Sequence, residues 1–255
     1  MKPEPSIELI EAQWNAPARV KALCTTRHGG YSKHPYDSYN LATHVGDEDN
    51  AVLSNRELLY SSLTLPAEPC WLEQTHSTRV VNLDDESNRS ADAAISREAG
   101  TVAVVMTADC LPILLCNRSG SEIAAIHAGW RGLADGIIEA TIKTMKSSPS
   151  QLLAWIGPGI SQQCFEVGDE VRNIFIARNA SDASQFVAHR PAHWLCDLGG
   201  LALSTLTRLQ VAEISRTEYC SFSDESLFYS YRRNTTTGRM ASLIWIDIKS
   251  LSDLG

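Results

Sequence analysis

Apolar positions in this chain fall mostly in short runs, with few long helical stripes. Residues 19–26 (RVKALCTT) form a strand-length run that stops at the turn signal Arg27-His28-Gly29-Gly30. Residues 37–50 are polar and Gly-containing, which reads as a long loop. Residues 51–63 place Val52, Leu53, Leu58, Leu59 and Leu63 at helical spacing, with Asn50 as the N-cap. Residues 70–72 read as a short strand entering Gln74-Thr75-His76-Ser77, and residues 80–83 as another. Residues 101–106, 113–116 and 123–127 are β-branched or apolar runs of strand length. A helix over 133–145 follows, with Leu133, Ile137, Ile138 and Ile142 on one face. Residues 152–156 form a strand ending at Gly157-Pro158-Gly159; 169–178 and 198–209 read as helices, and 242–248 as a closing strand. Strands outnumber helices without regular alternation. The pattern predicts an α+β fold, with helices packed over a mixed or antiparallel central sheet, and 255 residues fit one large domain or two small ones. A doubly wound α/β fold is the alternative.

Composition narrows the function classes. The 255 residues carry a formal net charge of −8, which argues against a nucleic-acid partner, because phosphate backbones need clustered Lys and Arg. A small anionic substrate needs only one or two local arginines. The longest apolar segment, residues 101–116, is interrupted by Thr107, Asp109 and Pro112, so no membrane span is expected. The N-terminus carries acids and prolines and lacks an apolar signal core. The seven cysteines are scattered, odd in number and free of any CxxC, which points to reduced thiols and a cytoplasmic setting. Monomer and homodimer are both compatible with the sequence.

Three residues of metal-ligand type sit beside turns at the ends of apolar runs: His76 in EQTHS, Cys110 in VAVVMTADC, and His127 in IAAIH. Catalytic zinc needs about three such N, S or O ligands and an open position. The spacings, 34 residues from His76 to Cys110 and 17 from Cys110 to His127, match no short metal motif. Packing thiols and backbone-bonded imidazoles are the competing explanation. Asp109 inside an apolar segment needs a partner, such as a ligand imidazole N–H or Arg131, and Gln74 precedes His76 in the same manner. Gly129 and Gly132 allow close backbone approach around Trp130 and Arg131, and Arg131 could clamp an anion. Arg27 is a candidate second anion contact, with His28, Asn40 and His44 as candidate lining groups. Glu166, after the Gly-Pro-Gly turn, could reach a substrate; Cys164 reads as packing; His34, His189 and His193 read as surface residues.

TRHGGYS (26–32), NLATHVGD (40–47), QTHS (74–77), TADCLPILL (107–115), AAIHAGWRG (124–132), IGPGIS (156–161) and YRRNTTTGRMASLIW (231–245) together resemble the laccase-domain, or YfiH-like, family. Its members are described as polyphenol oxidases, peptidoglycan editing factors and purine nucleoside phosphorylases. The resemblance implies a single-domain α/β fold over residues 1–255, with layered sheets and helices. It implies a zinc site formed by His76, Cys110 and His127. It also implies phosphate-dependent cleavage of adenosine, inosine and methylthioadenosine, with adenosine deamination. Purine nucleosides and phosphate would then be the partners, with Arg27, Asn40 and Arg131 as binding residues and Asp109 and Gln74 as supports.

Three other readings use the same residues. A copper-dependent polyphenol oxidase could place Cu²⁺ on His76, Cys110 and His127, with Met106 as an axial group. A multicopper enzyme needs roughly ten further imidazoles, and the chain has seven histidines in all. A metal-free hydrolase could use Cys110 as nucleophile and His127 as base, with Asp109 or Gln74 orienting it, to edit a peptidoglycan precursor (UDP-MurNAc-L-Ser). A non-catalytic binding protein has the least support.

Overall fold

A computed structural model describes residues 6–248 of the chain. Among these residues the strands form three sheets. The first orders β1 (Leu9–Glu11), β2 (Val20–Thr25), β13 (Met240–Ile246) and β5 (Val102–Thr107). The second orders β12 (Glu213–Arg216), β8 (Leu152–Ile156), β6 (Leu111–Asn117), β7 (Ile123–Ala128), β4 (Ala93–Ser96) and β3 (Val80–Asn82). The third orders β10 (Phe186–Arg190), β11 (His193–Cys196) and β9 (Glu166–Gly168). In the six-stranded sheet only β12–β8 and β3–β4 pair in parallel. That mixed pairing is the α+β arrangement, and it sets aside the doubly wound alternative.

Strand periodicity sorts the core into layers. On β7, Ile123 and Ala125 pack with Leu114, Cys116, Ala103 and Val105 between the two large sheets. Their neighbours Ala124 and Ile126 pack with Ile113 and Leu115 against the helical side. There lie α2 (Trp130–Asp135), α3 (Ile137–Thr144), α4 (Asp169–Arg178) and α5 (Leu198–Arg208). The far face of the four-stranded sheet is covered by α1 (Asp49–Leu63) through Leu58 and Leu59. The central strands β5, β6 and β7 are therefore buried on both faces, which is why they read as unbroken apolar runs.

Some local expectations change. Asn50 lies inside α1, which is preceded by Glu48 with no side-chain cap. Residues 70–72 make a single bridge, Cys70 to Ala103, in place of a strand. The helix expected over 133–145 begins at Trp130 and breaks at Gly136, whose φ of 98° only glycine adopts readily. The closing strand runs two residues earlier than expected. Strands β1, β4 and β9 to β12 were not visible as patterns, being three to five residues long.

A buried carboxylate closes the turn after α3. Glu122, 2% exposed, accepts from the backbone N–H groups of Lys146 (2.8 Å) and Ser147 (2.9 Å) and pairs with Arg97 at 2.8 Å. Burial alone would raise its pKa; the two amides, the Ser147 hydroxyl and Arg97 more than reverse this and hold it below its ordinary value of 4.5. The folded pKa is depressed, so this stabilisation is present above the ordinary carboxylate range and is lost as pH falls below it. Glu122→Gln is expected to cost about 1–3 kcal/mol at pH 7. In urea titrations the gap to wild type should shrink below pH ~4; a gap constant from pH 7 to 3 would contradict the assignment.

Candidate metal centre

The two large sheets converge where β5 ends and β6 begins. Ala108, Asp109 and Cys110 make the crossing between them. Asp109 takes a positive φ of 86° there, and its carboxylate accepts from Ser221 Oγ (2.7 Å) and the Arg232 N–H (2.6 Å). It ties the 221–232 segment to the crossing and bonds neither imidazole nor Arg131, which corrects the partner expected from sequence. His127 is the penultimate residue of β7 and shares the parity of Ile123 and Ala125, so its ring falls on the inter-sheet side, 5% exposed. His76 lies in the loop before β3 with φ 60°, a left-handed backbone unusual for a residue with a side chain.

These three residues meet. Their ligand atoms all lie within 4.8 Å of one another; Cys110 Sγ is 3.9 Å from His76 Nε2, and the two imidazoles stand edge to face at 4.8 Å and 74°. Donors about 2.0–2.3 Å from one tetrahedral ion stand ~3.3–3.8 Å apart, so the widest pair would have to close by about 1 Å, within reach of side-chain rotation. Gly129 leaves room for it: a Cβ there would sit 2.9 Å from Cys110 Sγ, 2.9 Å from His76 Cδ2 and 3.4 Å from His76 Nε2. Burial by itself would push the Cys110 thiol up, but His127 and His76 pull it down to about 6. Burial likewise disfavours a charged His127, yet Cys110 and Asp92 raise it to about 9. A thiolate and two imidazoles around a glycine-sized gap fit a borderline-soft divalent ion such as zinc.

The carboxylate that supports the imidazoles is Asp92, which the sequence reading passed over. It is fully buried one residue before β4, and its Oδ1 receives His127 Nδ1 at 2.8 Å. The same group accepts from the backbone N–H groups of Thr75, Ser77 and His76. A lone acid in the Ala-rich run Ala91-Asp92-Ala93-Ala94 was the available signal, since such a group needs a partner. Gln74 bonds none of the three donors; it pairs with both backbone groups of Met106, N–H to Oε1 and Nε2 to C=O, each at 2.7 Å.

Above the three donors opens a cavity of about 420 Å³, a common ligand-site size. Its wall includes His44, Met106, Trp130, Arg131, Phe165, Tyr231, Arg232 and Arg239. Arg131 stacks on Trp130 with its guanidinium carbon 4.4 Å from the ring centroid, in the first turn of α2 and not in an anion-binding turn. Three arginines thus line one cavity in a chain of net charge −8, and Arg232 Nη1 donates to the Glu166 carbonyl at 3.0 Å. Burial lowers the pKa of Arg239, whose Nη1 donates to the carbonyls of Thr237 and Gly238.

Arg27 stands apart. It lines a separate surface cavity, spends its N–H groups on the carbonyls of Asp37 and Glu225, and stacks over Tyr229. Its neighbour His28 faces Glu8. Asn40 is buried, bonding Ala42 and Asp47 and accepting from the Arg239 N–H at 3.0 Å, so it holds the backbone of a cavity arginine without touching the cavity. The Glu166 carboxylate is occupied by Arg190 at 2.6 and 2.8 Å. Arg27, expected from the sequence as an anion contact, lies outside this cavity, whereas Arg232 and Arg239, both within the 231–245 motif, line it.

A family model described as multi-copper polyphenol oxidoreductase laccase matches residues 21–247. Purine nucleoside phosphorylase YfiH of Escherichia coli is 46% identical over 241 residues, covering 94% of this chain and 99% of its own. A purine nucleoside phosphorylase of Pseudomonas aeruginosa is 46% identical over 238 residues, covering 93% and 98%. A crystal structure of a Neisseria meningitidis protein superposes with a TM-score of 0.90 at 44% identity, covering 94% and 99%. YlmD from Geobacillus stearothermophilus does so at 0.84 and 31%, covering 90% and 93%. With its layered sheets, its His-Cys-His cluster and these relatives over nearly its whole length, the chain belongs to the laccase-domain, YfiH-like family.

Proposed function

We propose that the chain is a zinc-dependent purine nucleoside phosphorylase. The observation that carries this reading is the cavity itself, whose lining combines His76, Cys110 and His127 with Arg131, Arg232 and Arg239 around a volume of about 420 Å³. The names of relatives 46% identical to it support the same activity. When bound, zinc supplies Lewis-acid polarisation at the three donors. The guanidiniums hold phosphate and neutralise its charge. Phe165, Trp130 and Tyr231 line the same cavity, each with a guanidinium over its ring, and would give a purine apolar contact. In the reaction, the C1′–N9 bond breaks with its electron pair leaving on the base, an oxygen of hydrogen phosphate bonds C1′, and the phosphate's proton ends on the departing base. Adenosine, inosine and methylthioadenosine are the proposed substrates, and adenosine deamination is a proposed second activity. Asn40 acts by holding Arg239. The seven free cysteines suit a reducing cytoplasm. No helix among the described residues is long and apolar enough to cross a membrane.

One observation favours a second reading. Asp92, His127 and Cys110 line up as orienter, base and thiol, the arrangement a cysteine hydrolase needs. Purified protein incubated with adenosine separates the two. Adenine release is expected to require added phosphate and to yield ribose 1-phosphate. Release at an equal rate without phosphate would favour the hydrolase, and no release under either condition would sink both for this substrate.

A further inference from the structure

Asp92 lies outside the cavity lining, yet its carboxylate collects six donors. Oδ2 accepts from Thr75 N (3.1 Å), Thr75 Oγ1 (3.4 Å), Ser77 N (2.6 Å) and Ser77 Oγ (2.8 Å). Oδ1 accepts from His76 N (3.0 Å) and faces His127 Nδ1 (2.8 Å). Three consecutive amides turned toward one anion form a nest, and they hold His76 at its φ of 60°. A non-glycine residue in that conformation costs about 1–3 kcal/mol and persists only when its surroundings enforce it. If the segment relaxed, the His76 ring would leave its place beside Cys110. The second oxygen acts on the other imidazole. A carboxylate only accepts, so Nδ1 of His127 carries the hydrogen and Nε2 keeps its lone pair for an ion. The Asp92 carbonyl also accepts the His127 N–H at 2.7 Å, fixing the backbone of both residues in one register.

We infer that Asp92 is the positioning residue of the centre: a single carboxylate sets the backbone of His76 and the ring nitrogen of His127 that faces the ion. The inference rests on the metal reading of the three donors. An asparagine in this place cannot satisfy both sets of donors. Its NH₂ would face either the Thr75 and Ser77 amides or the His76 amide and His127 Nδ1. In the second orientation His127 must give up the Nδ1 hydrogen, and its Nε2 lone pair with it.

The test compares full-length wild type with Asp92→Asn, measuring Zn²⁺ and Co²⁺ affinity, the visible absorption of the Co²⁺ form, and far-UV circular dichroism. The folded variant is expected to bind both ions ~10–100-fold more weakly, the usual scale for losing a group that orients a ligand. Its cobalt bands should be shifted or weakened. A role confined to fold stability would leave affinity and spectrum of the folded protein unchanged, and that result would overturn the inference. Should the variant not fold, ¹⁵N-imidazole spectra of zinc-loaded wild type decide: His127 protonated on Nδ1 and bound through Nε2 is expected, and metal on Nδ1 overturns it. Wild type that takes up neither ion overturns the metal reading itself, a result distinct from the first.

Discussion

Cys110→Ala protein is expected to retain its fold, to hold almost no zinc, and to lose on the order of 10³-fold in phosphorolysis. Wild type should carry about one zinc per chain when purified without added metal. Cys110 Sγ stands 3.9 Å from His76 Nε2 at the sheet crossing, outside the apolar clusters of the core. Its truncation therefore opens no apolar cavity, and a large loss of stability is not expected in the metal-free state. Structural zinc sites of four ligands bind with roughly 10–16 kcal/mol, so one ligand contributes about 2.5–4 kcal/mol, which is some 10²–10³-fold in affinity. Elemental analysis and the phosphate-dependent release of adenine check both parts. The cysteine-hydrolase reading also expects an inactive variant, but it expects chelated wild type to stay active. Activity that disappears on chelation and returns with zinc supports the metal centre; full activity after complete zinc removal would sink it.

Gly129→Ala should damage the centre through a single methyl group. Gly129 has φ −71° and ψ 164°, which alanine adopts without strain, so the backbone tolerates the change. The methyl carbon would lie 2.9 Å from both Cys110 Sγ and His76 Cδ2, well inside the 3.5–4.0 Å at which carbon atoms rest. Both neighbours are side-chain ends that can swing away cheaply, but swinging away breaks the donor set. The expected result is a melting temperature close to that of metal-free wild type, zinc affinity lowered by ~100-fold, and activity lowered with it. Metal titration beside calorimetry reads the two effects separately. Unchanged zinc affinity would show that the ion, if bound, sits away from the gap beside Gly129.

The sequence held much of the fold for a physical reason. Strands β5 to β8 and β13 are buried on both faces, so each appears as an unbroken apolar run that no loop or surface helix would carry. Helix α1 was legible from apolar spacing, and α4 and α5 were read as helices within a residue of their bounds. The short strands left no period to read, and Gly136 split a helix that spacing alone made continuous.

The chain order of His76, Cys110 and His127, their residue types and their places beside apolar runs were written in the sequence, together with the motifs that resemble the family. Only the tertiary structure decided their companions. Arg27 and Arg239 are the same residue type, and both donate to carbonyls, yet the path of the chain puts one in a separate surface cavity and the other in the wall of the cavity above His76, Cys110 and His127. Asp109 and Asp92 are both acids in apolar surroundings, and only the antiparallel pairing of β4 with β7 brings Asp92 to His127 across 35 residues. Ligand identity is a local property of residue type, whereas which carboxylate or guanidinium meets a ligand depends on sheet register. Register is set by the packing of both faces at once, which no single stretch such as IAAIHAGWRG encodes.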